Sequence, residues 1–324
     1  YRHLIIGYKN TLEDCIFLGD AENKVYWVER AGKDGRGALL RSAPLKIAPI
    51  VRREIFSKGS AVVMTSATLA VGRSMEGFVS NVGAEDAETF VCDSPFDYDR
   101  NMRAFIASDA PDPERETRRS DAEYLARVCK KLCENVRGGT LILFTSYADL
   151  NKTAEYLKEN LTGRKILVQG EMSRSQTVRA FVEDGSAVLL GTDTFWTGVD
   201  VPGEPLSQVV ITRLPFENPN HPLLQARAER VLAEGGKPFV EITLPAALIK
   251  FRQGVGRLIR NARDKGIVAV LDSRICSKSY GKNFADAIPT CRVERFCEGE
   301  IDTLIAEAAR ELGIAPKKRK PELD

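Results

Sequence analysis

Short apolar runs alternate along this chain with longer segments in which apolar residues recur every three or four positions. The short runs are rich in valine, isoleucine and leucine, which favours buried β-strands. These runs predict strands at residues 61–64, 103–107, 140–144, 165–168, 187–190, 208–211 and 267–271.

Helical periodicity marks four of the intervening segments. They cover residues 120–136, 147–161, 173–182 and 245–259. In the first, one apolar stripe is formed by Leu125, Val128, Leu132 and Val136. Two of the segments open with a serine followed three residues later by Glu123 or Gln176, which is the spacing of a capping box. We therefore expect Ser120 and Ser173 to be helix N-caps.

Alternating strands and helices predict an α/β fold. Such chains form a parallel sheet with right-handed crossovers and with helices on both faces. Ligands of these sheets bind at the loops beyond the carboxyl ends of the strands. The unusual motifs of this sequence fall on such loops, which favours a functional role for them.

Length and composition narrow the class of protein. A chain of 324 residues predicts about two domains. The net charge of +2 is too small to indicate a partner, and no apolar run approaches the roughly 20 residues of a membrane span. Seven cysteines without a Cys-x-x-Cys pair favour free thiols in a reducing cytoplasm, with a zinc or iron–sulfur site as the alternative. The chain starts at Tyr1 without methionine or a signal peptide, so we expect a piece of a longer protein.

The most informative motif lies at residues 253–260. It reads Gln253-Gly254-Val255-Gly256-Arg257-Leu258-Ile259-Arg260. Arginines three positions apart share one face of a helical turn, so both guanidinium groups can reach one target. Glycines allow a phosphate or another backbone to approach closely, and arginine binds phosphate oxygens through two parallel hydrogen bonds. The motif predicts a phosphate-binding site.

A second motif follows the predicted strand at residues 187–190. It runs from Thr192 to Gly203 and places Trp196 in an exposed loop beside glycines and Asp200. A loop glycine permits close approach to phosphates, and a carboxylate can accept hydrogen bonds from ribose hydroxyls. The alternative is a tight turn whose tryptophan fills the core.

Two weaker motifs also follow predicted strands. The first, Thr65-Ser66-Ala67-Thr68-Leu69, offers small hydroxyl groups to phosphate, backbone or carboxylate, but Ser/Thr turns are common. The second is the proline-rich segment 214–222, which contains Phe216. Plain loop stiffening and a nucleic-acid contact both account for it.

Taken together, the motifs resemble those of the DinG-like branch of the XPD-type DNA helicases in superfamily 2. The resemblance covers residues 40–289, most of the chain. Its residues are Arg41-Ser42-Ala43-Pro44-Leu45, Thr65 to Leu69, Ser94-Pro95-Phe96, Leu143-Phe144-Thr145-Ser146-Tyr147, Phe195 to Gly203, Arg213-Leu214-Pro215-Phe216, Gln253 to Arg260, and Tyr280-Gly281.

The resemblance implies a role for each motif. The final motif would supply the catalytic arginine fingers and their neighbour, namely Arg257, Arg260 and Gln253. Nucleotide contacts are expected from Gly198, Asp200 and Gly256. Coupling between ATP state and DNA grip is expected from Thr65, Ser66, Ala67 and Thr68. DNA contacts are expected from Thr145, Ser146, Thr192, Trp196 and Phe216.

The resemblance also implies an architecture and a set of partners. Residues 72–324 would form the second RecA-like motor domain, and residues 1–71 a remnant of the first domain and its arch. No G-x-x-x-x-G-K-[ST] phosphate loop occurs in the sequence, so ATP and Mg²⁺ would be bound mainly by an N-terminal motor domain, with no metal in this chain. The expected substrate is single-stranded or forked DNA, with movement from 5′ to 3′. We expect a monomeric, nucleoid-associated cytoplasmic protein without membrane contact.

One departure and two alternatives accompany the resemblance. Relatives commonly carry glutamate where this chain has Thr197, so the function of that carboxylate is in doubt here. The first alternative is a catalytically inactive nucleic-acid-binding module on a helicase fold. The second is the motor half of a helicase–exonuclease, although this sequence lacks the clustered carboxylates of a two-metal site.

Overall fold

The computed structural model describes residues 2–31, 36–113, 118–196 and 206–316. Its helices are α1 (Arg2–Phe17), α2 (Ala48–Glu54), α3 (Glu76–Val82), α4 (Tyr98–Asn101), α5 (Arg118–Glu134), α6 (Tyr147–Asn160), α7 (Arg174–Asp184), α8 (Asp193–Trp196), α9 (Pro222–Ala233), α10 (Leu244–Val255), α11 (Arg274–Ser277), α12 (Gly281–Ala285) and α13 (Ile301–Leu312). Its strands are β1 (Lys24–Ala31), β2 (Gly37–Pro44), β3 (Met102–Ala107), β4 (Gly139–Leu143), β5 (Ile166–Val168), β6 (Val188–Gly191), β7 (Leu206–Ile211), β8 (Gly266–Val270) and β9 (Arg292–Phe296). A 3₁₀ turn (Phe56–Lys58) and a π-helical turn (Phe239–Thr243) complete the set.

The chain forms two compact units. The first joins Tyr1–Val91 to Phe216–Ala246, and the second joins Cys92–Pro215 to Ala247–Asp324. This division differs from the predicted boundary at residue 71. Residues 72–91 pack within the first unit, where Gly83 adopts a φ of 71° and a Cβ there would lie 2.7 Å from the carbonyl oxygen of Ala48. Arg52 also donates a hydrogen bond to the Gly83 carbonyl at 3.1 Å.

A seven-stranded parallel sheet organises the second unit. Its strand order is β5-β6-β4-β7-β8-β3-β9, and every neighbouring pair runs parallel. The interior strand β4 pairs Ile142 with Leu190 of β6 and with Val210 of β7. Six of the seven predicted strands lie in this sheet within two residues of their predicted limits. The predicted α/β fold is confirmed.

Helices cover both faces of the sheet. On one face, α5, α6 and α13 pack on inward residues of the strands, including Ile142 and Phe144. The predicted stripe of α5, Leu125 to Val136, is buried there. The alternate residue Leu143 points to the opposite face, where α10 passes so close that a Cβ on Gly254 would lie 3.2 Å from its side chain. No helix within the described residues is long and apolar enough to cross a membrane.

The predicted strand at residues 61–64 is wrong. That segment is irregular, and the Val63 side chain is 86% exposed. A strand needs a neighbour to satisfy its backbone hydrogen bonds, and none of the described strands pairs with this segment. In the first unit, β1 and β2 instead form an antiparallel hairpin that the periodicity did not predict.

Helix ends follow the local capping chemistry. The predicted cap at Ser173 is confirmed, because its side chain accepts from the Gln176 backbone and the Gln176 side chain accepts in return. The predicted cap at Ser120 is wrong, since α5 begins two residues earlier at Arg118. The predicted helix 245–259 ends early, at Val255.

Candidate nucleotide and nucleic-acid site

The arginine motif lies on a tight turn at the end of α10. After Val255 the backbone closes hydrogen bonds from Gly256 to Arg252 (2.8 Å), from Arg257 to Gly254 (3.2 Å) and from Leu258 to Val255 (3.2 Å). Arg260 lies beyond this turn in irregular backbone. The expectation that both arginines share one helix face is therefore wrong.

Asp264 explains why the helix does not continue. One oxygen of its carboxylate accepts the backbone N–H groups of Arg260 (2.8 Å) and Asn261 (3.0 Å). A side chain that takes backbone donors in this way offers the chain an alternative to helical hydrogen bonds. Asp264 is itself buried, so the turn that carries Arg260 is fixed by an internal contact.

Arg257 is anchored to the loop after β6. Its Nη2 donates to the carbonyl oxygen of Trp196 at 2.7 Å, and Trp196 Nε1 donates to the carbonyl oxygen of Phe144 at 2.9 Å. Trp196 is fully buried, so the expectation of an exposed-loop tryptophan is wrong and the alternative, a tryptophan that fills the core, is confirmed. A buried ring cannot stack on a nucleic-acid base, which removes the basis for Trp196 as a DNA contact.

Gly254 allows α10 to pack closely against Trp196. A Cβ at Gly254 would lie 2.9 Å from Cζ3 of Trp196, closer than real contacts allow. The close approach expected of this glycine therefore brings α10 onto an indole ring. Gly256, predicted to contact nucleotide, is exposed on the following turn, and Gln253 is half-buried.

Burial and neighbouring charges shift the pKa values of both arginines. Burial lowers the pKa of Arg257, and the positive charge of Arg174 lowers it further. Burial also lowers the pKa of Arg260, which the negative charge of Asp264 partly offsets. Partly dehydrated cations of this kind favour an anionic ligand, because an incoming negative charge replaces lost hydration.

The loop after β4 carries two predicted DNA contacts. Thr145 is exposed, as a contact residue should be. The Ser146 side chain caps α6 by accepting the backbone N–H groups of Ala148 (3.1 Å) and Asp149 (3.4 Å). The DNA role of both residues stays a prediction.

Thr192 differs from the prediction. It is only 2% exposed, and the Gln169 side chain accepts both its backbone N–H (2.6 Å) and its hydroxyl (3.3 Å). A buried hydroxyl that is already bonded is not available to DNA, so the predicted direct contact is wrong. Two further predicted residues, Gly198 and Asp200, lie outside the described residues, as does Thr197.

The remaining predicted residues belong to the first unit. The Ser66 hydroxyl accepts the Thr68 backbone N–H at 3.2 Å, forming a local turn. Thr65, Ser66 and Ala67 are exposed and Thr68 is half-buried. Phe216 is half-buried, with its ring centre 5.9 Å from that of Phe239. Their coupling and DNA roles stay predictions.

A buried charge cluster behind the strand ends was missed from the sequence. Arg213, only 5% exposed, pairs with Asp121 and donates to the carbonyl oxygens of Thr212 and Leu271. Burial lowers its pKa to about 10. The signal was available, because Arg213 lies two residues beyond an apolar strand, where the chain normally reaches solvent.

Asp272 is a second buried charged residue just beyond a strand, in this case β8. Its carboxylate is fully buried, accepts the Leu214 backbone N–H at 2.8 Å and pairs with Arg274 Nη2 at 2.7 Å. The two buried charges join the loops after β7 and β8, because Arg213 bonds the Leu271 carbonyl and Asp272 bonds Leu214. They act as positioning groups for the strand ends.

Comparison with known proteins supplies the family. A profile described as the helicase C-terminal domain matches residues 129–291. The chain is 35% identical to the 3′-5′ exonuclease DinG of Bacillus subtilis (strain 168), over 92% of this chain and 33% of that protein. It is 38% identical to the ATP-dependent DNA helicase YoaA of Escherichia coli (strain K12), over 82% of this chain and 40% of that protein.

Among solved structures, S. cerevisiae Dbp5 bound to RNA and ADP BeF3 shares the fold. The TM-score is 0.51 at 18% identity, over 81% of this chain and 58% of that chain. The chain spans between one third and two fifths of the length of the two curated relatives. The predicted RecA-like fold is thus supported by a solved structure as well as by the sheet order.

Proposed function

The chain belongs to the helicase C-terminal domain family as a DinG-like member, and from that premise we propose that it is the second motor domain of an ATP-dependent DNA helicase. The observation that carries the proposal is the anchored arginine turn. Arg257 bonds the Trp196 carbonyl, and its charge is partly dehydrated beside Arg174. A motor domain that completes a nucleotide site from outside needs such a rigid cationic group.

The proposed chemistry is electrostatic. ATP and Mg²⁺ would be bound mainly by the N-terminal motor domain of the same protein, and Arg257 and Arg260 would reach the γ-phosphate. Arginine stabilises the charge that spreads over the phosphoryl oxygens during transfer. In other phosphoryl-transfer systems an arginine finger of this kind raises the rate by about 10³–10⁵-fold. Gly198, Asp200 and Gly256 would complete the nucleotide contacts.

The proposed DNA path follows the loop after β4. Thr145 and Ser146 would contact the backbone of single-stranded or forked DNA, and Phe216 would pack against it. Backbone contacts of this kind carry no base readout, so sequence preference is not expected. Thr65 to Thr68 would couple ATP state to DNA grip. The protein would move 5′ to 3′ as a monomer in the nucleoid-associated cytoplasm.

The test uses the full-length protein that contains this sequence. Arg257→Ala and Arg260→Ala should each lower DNA-stimulated ATP turnover by about 10³-fold while ssDNA affinity stays within about twofold. Arg263→Ala is the matched control, because Arg263 is an exposed arginine of the same turn. Phosphate release and fluorescence anisotropy with a labelled oligonucleotide give the two readouts.

Each outcome assigns the arginines differently. Turnover lost at Arg257 and Arg260 but kept at Arg263 supports the finger assignment. A parallel loss of DNA affinity would mean that the arginines bind DNA rather than nucleotide. Absence of ATP turnover in the wild-type protein would favour the inactive nucleic-acid-binding module.

One observation favours a second candidate. The relative from B. subtilis is named a 3′-5′ exonuclease, and this chain covers 33% of it. On that candidate, this domain is the motor half of a helicase–exonuclease. Degradation of a 3′-labelled oligonucleotide by the full-length protein, in the presence of Mg²⁺ or Mn²⁺, tests it directly.

A further inference from the structure

The Gln169 side chain joins three loops at the carboxyl ends of the strands. It follows β5, accepts the Thr192 backbone N–H after β6 at 2.6 Å, and donates from Nε2 to the Tyr147 hydroxyl oxygen after β4 at 2.7 Å. Because β6 lies between β5 and β4 in the sheet, the amide spans the end of β6. Neither Gln169 nor Tyr147 has a role in the function proposed above.

The orientation of this amide follows from its partners. A backbone N–H can only donate, so the face toward Thr192 must be the amide oxygen. The amino group of Gln169 therefore faces Tyr147, and the tyrosine oxygen is the acceptor of that bond. The tyrosine hydroxyl must then direct its own proton elsewhere.

Tyr147 lies at the predicted DNA edge. It is the first residue of α6, directly after Thr145 and Ser146, and it is 56% exposed. The neighbouring Ser146 hydroxyl oxygen accepts the backbone N–H groups that cap α6. Because the oxygen of this exposed hydroxyl already accepts a bond from an amide, its proton can be donated to an anionic oxygen.

Resting on the proposed function, we propose that Tyr147 donates its hydroxyl hydrogen bond to a backbone phosphate of single-stranded DNA and that Gln169 is the positioning residue that sets this donor. The same amide holds Thr192, which leads into α8. Trp196 at the end of α8 accepts the Arg257 bond. The phosphate donor and the arginine turn are thereby joined through the hydrogen bonds of Gln169, the backbone of α8 and the hydrogen bond of Arg257.

The test is a double-mutant cycle in the full-length protein. Tyr147→Phe should weaken ssDNA binding about three- to tenfold, the effect of one hydrogen bond to a charged group at a half-exposed site. Gln169→Met keeps the side-chain length but removes all three of its side-chain hydrogen bonds to Tyr147 and Thr192, and should give a similar loss. The double variant should bind no more weakly than Tyr147→Phe alone, because both changes remove the same contact.

Controls and a second readout separate this contact from general damage. Tyr156→Phe, on the same helix and packed against the core, should leave affinity unchanged. The slope of log Kd against log salt should also stay unchanged in Tyr147→Phe, because a neutral donor releases no counterion, unlike a lost lysine or arginine contact. Basal ATP turnover without DNA in Tyr156→Phe should match the wild type.

Several outcomes overturn the proposal. Unchanged ssDNA affinity in Tyr147→Phe removes the hydroxyl contact, and if Tyr147→Ala then weakens binding, the ring rather than the hydroxyl touches DNA. Additive losses in the cycle mean that Gln169 does not act through Tyr147. A wild-type protein that neither binds ssDNA nor hydrolyses ATP would instead contradict the proposed function itself.

Discussion

At the scale of single residues, the Gly254 position decides how the arginine turn is held. A side chain there would collide with the Trp196 ring, which sits beneath α10 and is bonded to the Phe144 carbonyl. The indole is fully buried, so it has little room to yield. Gly254 and Trp196 therefore form one packing unit, and Arg257 is bonded to its backbone.

We expect Gly254→Ala to destabilise the second unit by about 1–3 kcal/mol, since overpacking forces shifts in a closed core. The sequence contains two tryptophans, so a Trp27→Phe background leaves Trp196 as the sole reporter in urea denaturation. Gly299→Ala is the matched control, because a Cβ at that exposed glycine meets nothing within 4 Å. An unchanged denaturation midpoint in Gly254→Ala would contradict the packing argument.

Residue types located the motifs better than they predicted the surroundings of each side chain. Thr145 is exposed as expected, whereas Trp196 and Thr192 are buried. A loop tryptophan looks the same in a sequence whether it faces solvent or the sheet. What decides between them here is the absence of a side chain at Gly254, 58 positions further along the chain, which leaves space for the indole.

At the scale of elements, the end of α5 is held by one half-buried guanidinium. Arg164 donates to the carbonyl oxygens of Cys133 (2.5 Å), Val136 (3.2 Å), Gly138 (2.6 Å) and Ser186 (2.7 Å). The last carbonyls of a helix have no partner within it and carry partial negative charge, so a cation there is stabilising. Burial lowers the pKa of Arg164, yet its donors are shared among several acceptors.

Loss of the Arg164 hydrogen bonds should lower the stability of the fold. Arg164→Met removes the donor that several partly buried carbonyl oxygens share, and we expect a loss of about 2–4 kcal/mol in the free energy of unfolding. Lys165→Met, next along the chain and exposed, should change it by less than about 0.5 kcal/mol. Urea denaturation followed through Trp196 fluorescence compares the two variants. Equal changes in the free energy of unfolding would show that Arg164 does not hold the end of α5.

The interior strands were predictable because they are buried on both faces and read as continuous apolar runs. Strand β9 was not, since it lies at the sheet edge and mixes Arg292, Glu294 and Arg295 with apolar residues. Residues 61–64 show the opposite error, because a strand was predicted there and the structure has none. Their apolar composition is that of an interior strand, but the described residues provide no neighbour to pair with it.

At the scale of the whole molecule, the order of strands and helices gave the fold class but not the division into units. Residues 216–246 return to the first unit after the chain has built five of the seven strands of the sheet. Arg227 of α9 donates to the carbonyl oxygen of Leu45 at 3.0 Å, and Trp27 of β1 meets His221 with ring centres 5.5 Å apart. Contacts over such sequence separations leave no periodic signal, so local patterns could not predict them.

The domain content of the chain also limits what it can do alone. Arginine fingers neutralise charge on a phosphoryl group that other residues already hold in place. In P-loop enzymes those residues are a glycine-rich loop and its lysine, and this sequence contains no G-x-x-x-x-G-K-[ST]. The arginine turn should therefore contribute nothing measurable until a phosphate-binding domain faces it.

We accordingly expect the 324-residue chain alone to release phosphate from ATP at the buffer rate, with or without ssDNA. The full-length protein should show DNA-stimulated turnover in the same assay. A cooperative urea transition of Trp196 in the chain alone would establish that the sheet and the arginine turn are folded, so that inactivity reflects a missing half-site rather than a missing fold. DNA-stimulated turnover by the chain alone would place the phosphate-holding residues within this sequence, and the division of labour between two motor domains would have to be abandoned.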